Sequence, residues 1–142
     1  MLAKRFDQGS QPQGLWNAQT DLEKGRLVKL VGGKGDPKVK EVVYATTDDE
    51  AMGFCTLRID DNVGSEILDN NTIPAGKKPV IYTLHKHNVW LTTEVDGAED
   101  MELGTKLTCG AEGKLVAGDG IFEVVEVTKA AGVPAIGVRI IK

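Results

Sequence analysis

A chain of 142 residues, 41% hydrophobic and 27% charged, has the size and mixture of one domain with a continuous core, not of a disordered or fibrous segment. The formal net charge of −4 argues against a binder held to nucleic acid by a clustered basic face, and no apolar run approaches the roughly 20 residues that span a bilayer. The start, MLAKRFDQGSQPQG, is basic but no apolar segment follows it, so no secretory signal is read there and cytoplasmic synthesis is expected.

Residues 1–22 differ from the rest. Residues 8–14 are polar and rich in breakers, unable to build an element of their own, yet Phe6 stands on one side and Leu15 and Trp16 on the other. Two readings follow: these apolar groups cap the domain's own core, or the segment is an extended arm that orders against a neighbouring chain. The division expected is an N-terminal arm over 1–22 and a β domain over 23–142.

Glu23-Lys24-Gly25 is a turn, residues 26–31 a first strand and residues 38–44 a second. The Gly-Gly-Lys-Gly loop between them lacks the GxxxxGK[ST] frame, and no helix follows to hold an anion, so it is read as a plain hairpin loop. Thr46 and Thr47 with Asp48, Asp49 and Glu50 predict one helical turn that Gly53 stops, and residues 54–59 a third strand. Val63 to Thr72 is irregular, with Ile67 and Leu68 as its apolar anchors.

The clearest pattern spans residues 73–95, where Val80, Tyr82 and Leu84, then Val89, Leu91, Thr93 and Val95, alternate with their neighbours. With the short polar link His85-Lys86-His87-Asn88 between them, the two runs predict an antiparallel hairpin. Short strands follow at 104–109, 114–116, 121–128 and 135–141, separated by Gly-rich turns, with a loop over 130–134. Roughly eight short strands without a long helical stripe mean an all-β fold, a small β-barrel or a β-sandwich.

Residues able to carry chemistry are few. His85 and His87 share one side of a strand but lack a third ligand. Asp48 to Glu50, and Asp60 with Asp61, lack the DxDxDG spacing of a calcium loop. Cys55 and Cys109 have no zinc partners or nucleophile signature, and are expected as buried thiols, a single disulfide being the alternative. Ser10 and Ser65 have no base implied. No catalytic residue, metal or cofactor is assigned, and the chain is expected not to be an enzyme.

Several phrases resemble, in order, the head-decoration (capsid cement) proteins of tailed bacteriophages. Residues 24–30, KGRLVKL, resemble the opening strand of that family's β domain, and residues 73–80, IPAGKKPV, the start of its mid-domain strand. Residues 103–107 with 113–116 resemble its late paired strands, and residues 137–140 its closing strand. The chain departs after Tyr44, where Met52-Gly53-Phe54-Cys55 replaces a small apolar step. The resemblance implies a structural virion protein with no active site. It would bind the capsid exterior, favour trimers, and clamp neighbouring major capsid subunits against the pressure of packaged DNA. Phe6, Leu15 and Trp16 are then the expected anchors, with Lys4 and Arg5 facing acidic capsid groups. The rival reading is a β-barrel carbohydrate- or ligand-binding module, which the small number of aromatics disfavours.

Overall fold

The computed structural model describes residues 1–9, 12–57 and 71–142; the readings placed on Ser10, Ile59, Asp60, Asp61, Ser65, Ile67 and Leu68 lie outside the described residues. Among the described residues the chain forms fourteen strands: β1 (Leu2–Phe6), β2 (Pro12–Gln13), β3 (Asn17–Ala18), β4 (Leu22–Glu23), β5 (Leu27–Gly32), β6 (Lys40–Tyr44), β7 (Gly53–Thr56), β8 (Thr72–Ile73), β9 (Val80–Thr83), β10 (Val89–Thr92), β11 (Lys106–Cys109), β12 (Leu115–Ala117), β13 (Phe122–Ala130) and β14 (Val133–Ile140). They make one six-stranded sheet in the order β1-β10-β14-β13-β11-β12 and a second in the order β2-β9-β7-β5-β6-β3, with β4 and β8 as a separate ribbon. Neither large sheet closes on itself, so the molecule is a sandwich and not a barrel.

The alternation read from the sequence explains how the sheets face each other. Leu27, Phe54 and Tyr82 of the second sheet point at Trp90, Phe122, Val124 and Val138 of the first, and all are buried. Phe54 lies 5.8 Å from Phe122 and 6.5 Å from Trp90 between ring centroids, and Tyr82 lies 4.8 Å from Trp90, all tilted, a favoured aromatic arrangement. The neighbouring residues on the same strands, Val28, Cys55 and Ile81, point the other way into a second cluster with Ala18, Leu22, Val42 and Ile73. The second sheet is therefore covered on both faces, which is why all four residues of β7 are buried. At about 1.5–3 kcal/mol for each large apolar side chain fully buried, both clusters matter to stability.

Three expectations are corrected. The runs 80–84 and 89–95 are not a hairpin: β9 pairs with β7 and β2 in one sheet, whereas β10 pairs with β14 and β1 in the other. The link 85–88 is an arch between layers, made possible by His87 at φ 78° and by Asn88, which is fully buried. Asn88 accepts from the Gln8 amide at 2.7 Å and donates to Asp7 at 2.8 Å, while its backbone carbonyl accepts from Ile140. Tyr82 and Trp90 thus meet across the core, which lateral neighbours within one sheet would not do.

Residues 1–22, expected to build no element of their own, supply strands to both sheets. β1 pairs along β10, β2 with β9, and β3 lies parallel to β6, while β4 pairs with β8. The backbone is extended, as expected of an arm, but its partners belong to its own chain. No seam separates residue 22 from residue 23, since β4 contains both.

Where one helical turn is expected after Thr46, residues 48–51 make a single turn without a helix, closed by the Ala51 amide donating to the Asp48 carbonyl at 3.3 Å. Its Asp48 carboxylate accepts from the Cys109 amide at 2.7 Å, the Thr108 hydroxyl at 2.9 Å and the Ile121 amide at 3.3 Å, tying the link between β6 and β7 to the opposite sheet. Charge-assisted bonds to backbone amides are among the stronger ones.

Candidate interaction surface

The structure places the five residues singled out in the sequence in different settings. Lys4, on β1 opposite Trp90, is exposed, with its Nζ 5.3 Å from the Tyr82 ring centroid and 3.3 Å from an Asp7 oxygen. Arg5 is displaced by a bulge in β1 and donates its Nε–H to Glu126 at 2.9 Å. Both cations therefore have partners within the chain, although the Arg5 pair is exposed and contributes only about 0–1 kcal/mol. Phe6 is half exposed opposite Val89, and Leu15 is 69% exposed. Trp16 is partly buried, packed on the outer cluster of the second sheet.

Phe6 ends a strand of the first sheet, whereas Leu15 and Trp16 lie between β2 and β3, at the two edges of the second sheet. The segment is laid over the sandwich, with Trp16 anchoring it and Phe6 and Leu15 facing out.

Exposed apolar residues that sequence reasoning missed are Val39, Leu103, Val127 and Val133. A signal was present for two of them: Val39 sits between Lys38 and Lys40, and Leu103 follows Glu102, so each is an isolated apolar group in a charged stretch. Trp90 and Tyr82, the aromatics a glycan platform would need on a surface, are core residues, and Tyr44 carries Arg26 over its ring at 5.2 Å.

The titratable groups are tied into structure. Arg26 donates its Nε–H to Glu94 at 2.9 Å with both side chains mostly covered. Glu50, bonded by Lys29 at 2.8 Å and by the Thr46 amide and hydroxyl, is held down at about 2. Both cysteines are free and buried, and burial pushes each thiol up to about 12, far from a thiolate nucleophile at neutral pH. Among the described residues no group of three or more His, Cys, Asp or Glu side chains could hold a metal ion. His85 bonds Thr83 through Nε2 at 3.1 Å.

Neither a family model nor a curated protein matches the chain. Among solved structures it is similar to the head fiber gp8.5 N base in bacteriophage phi29, with a TM-score of 0.55 and 16% identity over 99% of this chain and 94% of that one. At that identity the likeness is one of fold. The likeness covers nearly the whole of both chains.

Proposed function

We propose that this chain is a structural virion protein that binds the outer surface of a phage capsid without catalysis. It clamps neighbouring major capsid subunits and stabilises the head against the pressure of packaged DNA, self-associating as trimers. The observation that carries the reading is the end-to-end likeness of fold to the base of a phage head fiber. The phrase-by-phrase resemblance to head-decoration proteins points the same way from the sequence. Neither depends on the other, since one compares backbones and the other short runs of residues.

Phe6 and Leu15 are the anchors in this reading, because they are large, apolar and exposed on a segment that the fold holds in place. Holding Phe6 on β1, and Leu15 in the short link between β2 and β3, removes most of the ordering cost that a free arm would meet on binding. Many copies on one lattice make modest single contacts sufficient.

Co-sedimentation of the purified chain with empty heads of the phage that encodes it tests the reading. The full chain is expected in the pellet. Phe6→Ala and Leu15→Ala are each expected to weaken binding by about tenfold or more with unchanged thermal midpoints, and Lys4→Ala to weaken it less. A chain that stays in the supernatant under all salt conditions sinks the proposal.

A further inference from the structure

We infer that copies of this chain associate head to tail, a lysine-rich end of the second sheet on one copy meeting an acidic rim around Leu103 on the next. This deepens the self-association proposed above and rests on it, but not on capsid binding.

The lysine-rich end is assembled by β3. On one side of it Asn17 and Ala18 lie against Glu41 and Val42; on the other the Ala18 amide donates to the Lys77 carbonyl at 2.7 Å and the Gly76 amide to the Ala18 carbonyl at 2.8 Å. The start of β6 and the 74–78 turn are thereby brought to one place, with Lys38, Lys40, Lys77 and Lys78 all exposed. None of the four is ion-paired with a described residue. The nearest acids are engaged by backbone amides: Glu41 by Lys34, Asp36 by Lys38 and Asp21 by Ala75. Val39, 57% exposed, stands between Lys38 and Lys40 in this cationic rim. The three carboxylates keep their charge, so the four lysines against three acids leave a local excess of positive charge on a chain whose net charge is −4.

The complement lies on the other sheet. Glu99, Asp100 and Glu102 are exposed and unpaired among the described residues, and Leu103 beside them is 68% exposed. The Gly104 amide donates to the Val124 carbonyl at 2.8 Å, which fixes Leu103 against β13. Beyond Val124 the outer edge of β13 has no strand neighbour among the described residues, and Val127 on it is 43% exposed. An uncovered edge beside apolar side chains is a surface that other chains pair with.

Each patch has an apolar centre and a charged rim, the anatomy of a protein interface, and the rims are opposite in sign. No ion pair joins the two patches within one chain among the described residues. A two-fold contact centred on either patch alone would set lysine against lysine or carboxylate against carboxylate, which is repulsive. A lysine end on an acidic rim matches the charges; repeated head to tail, such contacts close into rings when the rotation permits, whereas assembly that stops at dimers would overturn the head-to-tail arrangement.

Light scattering after size exclusion, on the full chain at low and high salt, reads this directly. The wild type is expected as a multiple of the chain mass at low salt, shifting towards single chains at high salt. Lys38→Glu with Lys40→Glu, and separately Glu99→Lys with Glu102→Lys, are each expected to weaken association by about tenfold or more; all four changes in one chain restore it. Leu103→Ser, which leaves every charge in place, is expected to weaken it too. Circular dichroism confirms that these surface variants fold. A wild type that runs as single chains at high concentration overturns the inference, as do charge-reversed variants that assemble normally. If those single chains still sediment with heads, the capsid reading stands without it; assembly without head binding removes only the capsid reading.

Discussion

Met1 carries an unusual load for a first residue. Its side chain packs against Leu91 and Ala135, its carbonyl accepts from the Thr93 amide, and its α-amine donates to the Lys24 carbonyl at 2.6 Å, to Thr93 Oγ1 at 3.2 Å and to Asn71 Oδ1. Gly25, at φ 96°, lets the Met1 carbonyl approach where any Cβ would collide. Burial lowers the amine from 8.0 to about 6, a shift that Glu94 and Glu23 oppose without cancelling. Between those values the unfolded chain holds a proton that the folded chain has released, so stability rises with pH across the window. Below it both states are protonated and the desolvation penalty is complete; above it the penalty is gone. Two units correspond to about 2–3 kcal/mol. Urea unfolding on either side of the window, in a His85→Gln, His87→Gln background so that no imidazole contributes, is expected to show that gain. A flat profile would mean that the amine stays charged in its oxygen cage.

At the scale of elements, the strands from β5 onward were legible apart from β8, and those of the N-terminal segment were not. Residues 26–31, 38–44 and 121–128 are rich in Val, Ile, Leu and aromatic residues and bounded by turn residues, enough to announce β5, β6 and β13, and their observed bounds differ by one or two residues. The last hairpin turns more tightly than the Ala-Ala-Gly-Val-Pro phrase implies: Ala131 and Gly132, at φ 50° and 81°, make a two-residue turn without the Asn-Gly that usually marks one. β2 and β3 are two residues each and polar or breaker-rich, so nothing local specifies them. They exist because β9 and β6 offer free sheet edges, and a free edge is a property of the partner. The same non-locality hid the arch at 85–88, where the alternation was real but did not say which sheet each run would join. A chain beginning at residue 23 is therefore expected not to remain a folded soluble domain. It would expose the edges of β10, β9 and β6 and uncover the outer cluster of which Ala18 and Leu22 are part. Loss of dispersed amide peaks and of a cooperative thermal transition would confirm this; a well-folded truncation would restore the picture of an independent arm.

The whole molecule is held together by contacts distant in sequence, and this is also why its candidate surface was only partly readable. Phe6 and Leu15 are exposed, as anchors need to be, but the partners that engage Lys4 and Arg5 include Glu126, which no local pattern connects to β1. Because β1 belongs to the first sheet and β2 and β3 to the second, the N-terminal segment stitches the layers, and neither sheet can lose its strands from it alone. One cooperative unit should result, folding in milliseconds to seconds as long-range β topologies do. The two tryptophans make this measurable, since Trp90 lies between the sheets and Trp16 on the outer cluster of the second. Trp90→Phe and Trp16→Phe leave one indole each, and the cost at position 90 is limited because its Nε1–H has no partner to lose. Each variant has its own stability, so the comparison is made within a variant: the fluorescence midpoint in urea is set against the circular dichroism midpoint of the same chain. Coincidence in both means that the stitch and the core melt together. If the Trp16 signal is lost at lower urea than the backbone signal, residues 1–22 detach first, and the surface carrying Leu15 would then be ordered only part of the time, returning the cost of fixing it to the moment of binding.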